Sequence, residues 1–335
     1  MCKSSIARRR RVQKSVEPLF YDLASLTKPL VTAPLAFRHL DLDAEMPFRA
    51  AYPPVTARRL LSHAAGLPPW LPFTGEPLAR QLTRPRPWGA HPLLKEPQAE
   101  SGVFPACYSD LGFRLLAEAI AAASGRAWRD LGEELSGLEA APWQRPPLEV
   151  PPGPDREAWQ LAAPATPFPP PSAVLPHDAN ARAGMTGHAG FGGAAREVLA
   201  WLRIWRREFA PRMVVEHAVA SDGTRWGLGL WRVPDGTGQF GALLDRLPPD
   251  GRCDVFEDAA CDLPPEILPA AGASAVNGSW WMHTGFTGPA LFFRPADSAC
   301  VCLLAHRRGP RGELLDMQTL HRRRMALLAA YAGAV

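Results

Sequence analysis

Apolar residues recur every three or four positions through much of the first two-thirds of the chain, the spacing of helices that bury one face. Residues 25–40 are one such stretch, with Leu26, Leu30, Ala33 and Phe37 on a shared stripe. We therefore predict a helix there. Further helices are predicted from Thr56 to Gly66, over 108–125, over 126–136 and over 192–205.

The strongest helix signal is "YSDLGFRLLAEAIAAASG" (108–125). Apolar residues from Leu111 to Ala122 line one face, and Gly125 is a typical helix end. Either Ser109 or Asp110 can cap the N-terminus of this helix.

After residue 224 the apolar period shifts toward two, which is typical of strands. Strands are predicted in "RWGLGLWRV" (225–233), in "SWWMHTG" (279–285), and over 290–294 and 299–305. The last two are joined by "PADS" and resemble a hairpin. An amphipathic helix over 311–332 closes the chain. Helices followed by strands and a final helix favour an α+β fold with an antiparallel sheet flanked by helices, plus a mainly helical subdomain.

Two stretches have no regular pattern. A proline-rich connector covers 142–176, and residues 234–278 are rich in Pro, Gly and Asp. We expect a disordered basic segment over 1–17 and one domain over 18–335, with a helical part at about 40–210 and a sheet part at about 224–335.

Composition and charge exclude several classes of protein. The chain is 47% hydrophobic and 21% charged, with a net charge of +4, which is ordinary for a globular protein. The arginine runs at 8–11 and 322–324 are interpreted as solvated charge rather than a nucleic-acid surface. The sequence contains no run of eighteen apolar residues, so no transmembrane helix is predicted. The N-terminus lacks a signal peptide's apolar segment, so the chain as written is expected to be cytoplasmic.

The six cysteines include no C-x-x-C pair and no zinc-type spacing. Cys300 and Cys302 alternate in an apolar run, which predicts two small hydrophobic residues on one face of a strand. Cys253 and Cys261 are either a bridge across a loop or free thiols.

A polar group near the middle of the chain contains His177, Asp178, Asn180 and His188. Their spacing matches no zinc pattern, so we interpret them as hydrogen-bonding residues of a loop beside the cleft. We expect neither a metal nor an organic cofactor.

The segment "DLASLTKPL" (22–30) carries one of only four lysines in the chain. Pro29 is tolerated only in the first turn of a helix, which places the helix start near Ser25. Ser25 and Lys28, three residues apart, then share a face, and an amine there can lower the cost of ionising the serine hydroxyl. The alternative is a serine cap followed by a solvent-exposed lysine.

Four further segments occur in order with this S-x-x-K spacing. They are "LLSHAAGLP" (60–68), "YSDLGFRLLAEAI" (108–120), "HDANARAGMTGHAGF" (177–191) and "HTGFTGPALFFRPADSACVCLLAHR" (283–307). Together with "DLASLTKPLVTAPLA" they resemble the serine β-lactamase and penicillin-binding-protein superfamily, in particular its class C β-lactamase-related branch. The resemblance covers about residues 18–330.

The resemblance implies roles for three residues. Ser25 would be the nucleophile and Lys28 its charge-setting partner. Tyr108, with a pKa lowered by the nearby lysine, would be the base. Asp110 stands where the familiar pattern has asparagine; it either holds Lys28 or caps the helix.

The resemblance also implies a substrate-binding strand. His283 replaces the lysine of Lys-Thr-Gly and is followed by Thr284, Gly285 and Phe286. A histidine near its reference pKa of about 6.5 is partly cationic and should hold a carboxylate less firmly than lysine does. Gly285 would let a substrate carbonyl approach, and the N–H groups of Ser25 and Phe286 would form the oxyanion hole.

The pattern breaks at the N-terminus, where the family usually has two strands of the sheet. Without them, strand 299–305 would keep an unpaired apolar edge. We therefore expect a truncated start, in which case the protein would be periplasmic or secreted.

These observations predict a serine hydrolase with D,D-peptidase-like or esterase-like activity. Its substrate would be a D-amino-acid peptide of the peptidoglycan type, a β-lactam or a small ester, with no nucleic-acid partner. The alternative is a catalytically impaired, penicillin-binding-like scaffold or binding protein. The sequence leaves the oligomeric state open.

Overall fold

A computed structural model describes residues 20–46, 55–67, 69, 104–141, 178–182, 187–233, 243–244, 251–257, 280–305, 307 and 315–334. The predictions for 1–17, for the connector 142–176, for His177 and for Cys261 lie outside these residues, as does most of 234–278. In the described part, no helix is both long enough and apolar enough to cross a membrane.

The described helices begin with a 3-10 turn, Ala24–Leu26, and a π-helical turn, Lys28–Thr32. Eight α-helices follow: α1 Ala33–His39, α2 Ala57–Leu61, α3 Asp110–Ser124, α4 Trp128–Ser136, α5 Ala179–Arg182, α6 Ala195–Glu208, α7 Ala210–Met213 and α8 Met317–Ala334.

The strands of the described part form two sheets. Their bounds are β1 Phe20–Asp22, β2 Phe104–Ala106, β3 Glu139–Ala140, β4 Phe191–Ala194, β5 Ala218–Ala220, β6 Arg225–Trp226, β7 Trp231–Arg232, β8 Cys253–Glu257, β9 Trp281–Thr284, β10 Ala290–Arg294 and β11 Ala299–Leu304. The small sheet has the order β1-β4-β3, and the large one has the order β2-β5-β6-β7-β9-β10-β11-β8.

The large sheet confirms the predicted α+β class. Its central pairs, from β5 to β11, are antiparallel, and the β10–β11 hairpin aligns Ala290 with Leu303 and Arg294 with Ala299. Only the two outer pairs among the described strands, β2–β5 and β11–β8, are parallel. The predicted strand 225–233 is a small hairpin, because residues 227–230 turn between β6 and β7.

Strand β11 is paired on both sides, so the expected unpaired edge at 299–305 is wrong. β8 lies against it in parallel, with Cys253 opposite Cys300 and Glu257 opposite Leu304. The sequence interpretation placed β8 inside an irregular stretch. Residues 253–256 are only partly buried, because β8 is an edge strand among the described strands of this sheet and lacks the continuous apolar run of a central one.

Strand β11 also separates two hydrophobic cores. Cys300, Cys302 and Leu304 pack into a large core with α1, α3 and α6. The alternate residues Val301 and Leu303 pack into a smaller core with α8. Since successive side chains of a strand point to opposite faces, the predicted shared face of the two cysteines is confirmed.

The segment predicted as one helix over 25–40 follows a helical path in three pieces. Pro29 and Pro34 have no N–H to donate, and the regular α-helix starts only at Ala33. The indole of Trp205 donates to the carbonyl of Pro29 at 2.8 Å, and Trp201 donates to Leu30 at 2.8 Å. The tryptophans of α6 thus satisfy carbonyl groups in the π-helical turn that follows Ser25.

Helix α8 corrects the interpretation of the arginine run 322–324. Arg322 is exposed, but Arg324 is buried and donates to the carbonyl groups of Gly285 and Gly288. Arg324 therefore fixes the turn after β9 and is not solvated charge.

Candidate active site

Ser25 lies in a strained turn directly after β1. Ala24, the residue before it, has a φ of 45°, which costs free energy in a residue that has a Cβ. The buried Asp22 carboxylate accepts a hydrogen bond from the Ala24 N–H at 2.8 Å and so stabilises this turn. The strained backbone at Ala24 and the hydrogen bond to Asp22 together fix the position of Ser25.

The Ser25 hydroxyl oxygen has two hydrogen-bond donors. Lys28 Nζ lies 2.9 Å from Ser25 Oγ, and the Tyr108 hydroxyl donates to the same oxygen at 3.0 Å. Two donors on one oxygen favour negative charge there, which is what a nucleophilic serine needs.

Lys28 is completely buried and its ammonium has three partners. Besides Ser25, it donates to the His188 carbonyl at 2.9 Å and forms an ion pair with Asp110 Oδ1 at 2.7 Å. Burial acts to lower the pKa of Lys28, but Asp110 and Tyr108 together raise it above its ordinary value. Lys28 is therefore a permanent ammonium in this site.

Asp110 is the first residue of α3, and the two alternatives for it are now distinguished. Ser109 is the helix cap, since its hydroxyl oxygen accepts the Leu111 N–H at 3.2 Å. Burial acts to raise the pKa of Asp110, but the Lys28 ammonium holds it below its ordinary value. Asp110 is thus the ionised partner of Lys28.

Tyr108 lies just before α3 in an aromatic environment. Its ring is 4.6 Å from the His63 ring and 5.8 Å from the Trp226 ring, centroid to centroid. Burial raises the pKa of Tyr108, and although Lys28 acts against this, Asp110 adds to the rise. Lys28 acts in the expected direction, but the pKa of Tyr108 is raised overall because burial outweighs the effect of the ammonium and Asp110 adds to the rise.

The end of β9 lies against the turn that carries Ser25. A Cβ on Gly285 would come within 2.9 Å of the Leu23 carbonyl oxygen, so only glycine allows this approach. The Thr287 hydroxyl donates to the Asp22 carbonyl at 2.8 Å. Arg324 holds the Gly285 carbonyl from the other side. The strand end and the serine turn are therefore one packed unit.

His283, in β9, is buried and lies 4.9 Å from the Trp231 ring and 6.1 Å from the Tyr108 ring. Burial lowers its pKa well below the ordinary value, and Lys28 and His63 add to the effect. The expected partly cationic His283 is therefore wrong. A neutral imidazole binds a carboxylate without the help of a charge.

These residues line a cleft of about 620 Å³. Of the predicted site residues, Ser25, Tyr108, Asp110, His283, Thr284, Gly285 and Phe286 all contribute to its described lining. Lys28 lies beneath the surface of the cleft, since its side chain is 0% exposed. The structure thus brings the eight predicted residues together from three separate parts of the chain.

Three contributors were not singled out from the sequence. Trp226 and Trp231 face each other across the β6–β7 hairpin and both line the cleft. His63 supports Tyr108 and accepts the Ser109 N–H on Nδ1 at 3.0 Å. The tryptophans were visible in "RWGLGLW", but their pairing depends on the turn between them.

The loop beside the cleft contains an Asp–His pair. His188 Nε2 lies 2.8 Å from Asp178 Oδ1, and Asp178 also accepts the Ala181 N–H at 2.8 Å. Both residues line the cleft, and Asn180 is buried next to them. Among the described residues, no cluster of histidines, cysteines and carboxylates has the arrangement of a metal site.

A family model described as Beta-lactamase matches residues 10–324, nearly the whole chain. The chain belongs to the beta-lactamase family. The family resemblance predicted from the motifs is thereby confirmed. No curated protein matches the chain.

Solved structures share this beta-lactamase fold. A beta-lactamase from Sulfitobacter sp. EE-36 has a TM-score of 0.54 at 17% identity, covering 95% of this chain and 85% of that one. A D-alanine carboxypeptidase AmpC from Burkholderia cenocepacia has a TM-score of 0.52 at 17% identity, covering 94% and 85%. EstCE1, a hydrolase with promiscuous acyltransferase activity, has a TM-score of 0.52 at 18% identity, covering 93% and 86%. The chain spans 67% and 61% of two longer SurE structures. At these identities the likeness shows the fold alone.

Proposed function

We propose that this protein is a serine hydrolase that cleaves an amide or ester through an acyl-enzyme on Ser25. Family membership supports a serine-hydrolase type of function in general. The observation that carries the proposal is the pair of donors on one partly exposed oxygen, with Lys28 at 2.9 Å and Tyr108 at 3.0 Å from Ser25 Oγ.

In the proposed reaction, Tyr108 first releases its proton to water, because its phenol is protonated in the resting site. Ser25 Oγ then attacks the substrate carbonyl carbon while its own proton passes to the Tyr108 phenolate. The N–H groups of Ser25 and Phe286 hold the developing oxyanion. Tyr108 then returns the proton to the departing amine or alcohol. Water repeats the sequence and releases the acid, with Tyr108 again taking and returning one proton. Lys28 remains an ammonium throughout and supports negative charge on the serine oxygen.

A panel of three substrates tests the reaction type. Nitrocefin, p-nitrophenyl butyrate and a D-Ala-D-Ala peptide report β-lactamase, esterase and D,D-peptidase activity in turn. We expect turnover of p-nitrophenyl butyrate, which has no carboxylate, to exceed that of nitrocefin and of the D-Ala-D-Ala peptide, because His283 lacks the charge that would hold the carboxylate of either. Turnover that persists in a Ser25→Ala variant would contradict the proposal.

A second function is favoured by one observation. Tyr108 has a raised pKa, and its partner Lys28 is neutralised by Asp110, so the site holds little free base at neutral pH. The second candidate is therefore a catalytically impaired protein that binds acyl compounds. A fluorophosphonate probe separates the two, since labelling of Ser25 supports the hydrolase and its absence in folded protein supports the binding protein.

A further inference from the structure

One side of the cleft presents carboxylates. Asp110 comes from the start of α3 and Asp178 from the start of the α5 segment, and their side chains are 20% and 23% exposed. Both lie in the cleft lining with Ser25. We call Asp110, Asp178 and His188 the acidic wall.

The positive charge near this wall is hidden from the cleft. Lys28 is 0% exposed, and its three N–H groups are directed at Ser25, Asp110 and the His188 carbonyl. One ammonium faces two carboxylates, so the cluster carries an excess of negative charge on its accessible side.

His188 adds a hydrogen-bond acceptor to the acidic wall. Its Nε2 faces the Asp178 carboxylate at 2.8 Å and so carries the ring proton, which leaves Nδ1 as the acceptor nitrogen of the ring. The residue is 2% exposed, and Nδ1 has no hydrogen-bond partner among the described residues. A buried acceptor of this kind needs a donor, and a substrate in the cleft can supply it.

A second part of the described lining is aromatic. Trp226, Trp231 and Phe286 form it with the neutral His283. Arg307 stacks its guanidinium 4.1 Å from the centre of the Phe286 ring and donates to the Leu315 carbonyl, but it is not part of the described lining. The described lining therefore offers an apolar surface on this side and no accessible cation.

We propose that the cleft takes acyl donors that carry a protonated amine together with an apolar group. Asp178 and Asp110 attract the ammonium, His188 Nδ1 accepts one of its N–H groups, and the two tryptophans pack against the apolar part. This inference rests on the proposed acyl-enzyme function and names its substrate class. It also excludes substrates whose main handle is a carboxylate, because they would meet two carboxylates and no free cation.

The wild-type protein tests the inference with three matched esters at pH 6.5, where an amino ester is mostly protonated. They are phenylalanine methyl ester, its N-acetyl derivative, and the 1-methyl ester of 2-benzylsuccinate. In the third ester a carboxymethyl group replaces the amine. Each ester is used as both enantiomers. We expect kcat/KM for the free amine to exceed each of the others by about tenfold or more, the scale of one charge contact. Equal rates, or a preference for the acetylated or carboxylate ester, would overturn the inference.

Asp178→Asn tests the acidic wall directly, and Asp130→Asn is the matched control. Asp130 is an exposed carboxylate on α4 that does not line the cleft. The preference for the free amine should shrink about tenfold in Asp178→Asn and remain intact in Asp130→Asn. An unchanged preference in a folded Asp178→Asn protein contradicts the inference. If that variant does not fold, the wild-type comparison decides.

A binding measurement separates this inference from the proposed reaction. In Ser25→Ala, tryptophan fluorescence is titrated with phenylalaninol and with N-acetylphenylalaninol, neither of which needs turnover. Tighter binding of the amine by about tenfold supports the acidic wall even if no ester is hydrolysed by the wild type. Equal binding overturns the wall even if fluorophosphonate labels Ser25.

Discussion

Lys28 and Asp110 form an ion pair with 2.7 Å between Nζ and Oδ1, and this pair holds both side chains in their charged forms. Asparagine in place of Asp110 would leave the ammonium uncompensated and make it a strong stabiliser of a Tyr108 phenolate. With the carboxylate present, Lys28 stays protonated and Tyr108 keeps its proton, so Ser25 Oγ receives two hydrogen bonds.

The first prediction concerns Asp110→Asn. Since Asp110 contributes to the raised pKa of Tyr108, removing its charge lowers that pKa while leaving the side chain's size nearly unchanged. If Tyr108 is the base, kcat/KM rises with pH on the alkaline side in the wild type, and this rise moves to lower pH in the variant. Profiles of kcat/KM against pH for both proteins test this. Superimposable profiles from two folded proteins would show that Asp110 does not control the base.

The second prediction concerns Tyr108→Phe, which removes only the phenol hydroxyl. Acylation of Ser25 by a fluorophosphonate or ester should fall at least about a hundredfold, the usual scale of acid–base catalysis. Tyr331→Phe is the control, because this tyrosine hydrogen-bonds Asp254 and lies outside the cleft. A Tyr108→Phe protein that acylates at the wild-type rate would refute the role of the phenol.

The third prediction concerns Lys28, whose removal should slow acylation as much as removal of the Tyr108 hydroxyl. Lys28→Ala should lower acylation at least about a hundredfold, because the serine oxygen loses its cationic donor. This variant also leaves the partly buried Asp110 without its cation, so a folded-state check by circular dichroism accompanies the rate measurement. Wild-type acylation in folded Lys28→Ala would refute the role assigned to the amine.

A fourth prediction concerns the helix that follows Ser25. Trp205→Phe leaves the Pro29 carbonyl without its indole donor, which should cost about 1–3 kcal/mol in the free energy of unfolding beyond the loss of packing. Trp128→Phe is the matched control, since the indole N–H of Trp128 is buried and has no hydrogen-bond partner within the described structure. Urea unfolding of the two variants tests this, and equal losses of stability would contradict it.

The local parts of this fold were predictable, and the reason is that their signals are local. Helix α3 was visible from its apolar face, and the β10–β11 hairpin from two short apolar runs around a turn. Strand β8 was missed because an edge strand is only half buried and its partner β11 lies more than forty residues away. Arg324 was misjudged because the carbonyl groups it binds belong to a distant turn.

The candidate site shows the same difference between what the sequence predicts and what depends on packing. The family resemblance of the motifs was enough to gather Ser25, Lys28, Tyr108 and the strand of His283, which the structure places at or beneath one cleft. Protonation was not predictable in this way. The pKa values of Tyr108 and His283 depend mainly on burial, and burial is a property of the packed molecule.

A fifth prediction concerns acid stability. Burial lowers the pKa of His63 to about 3, against an unfolded value of about 6.5. Between these two values the unfolded chain binds the extra proton, so the free energy of unfolding falls as the pH drops through this window, by up to about 1.4 kcal/mol per pH unit. The stability is fully present above pH about 6.5. His283, whose pKa is also lowered by burial, adds to the loss.

His63→Asn tests the contribution of one ring. Asparagine tolerates the positive φ of 58° at this position and can still accept the Ser109 N–H. Its unfolding free energy, measured by urea titration between pH 4 and 7, should fall less steeply with acid than that of the wild type. Equal slopes would contradict the account of His63.

The central claim is that Ser25 carries the acyl group, and the most direct measurement is the mass of the trapped intermediate. The protein is treated with a slow ester or a fluorophosphonate, digested with trypsin, and the peptide Ser15–Arg38 is sequenced by fragmentation, because Ser15 and Ser25 both lie in it. The account predicts one added acyl or phosphonyl group, located on Ser25 and absent in Ser25→Ala. An adduct on any other residue, or unmodified peptide from folded protein that hydrolyses the ester, would contradict it.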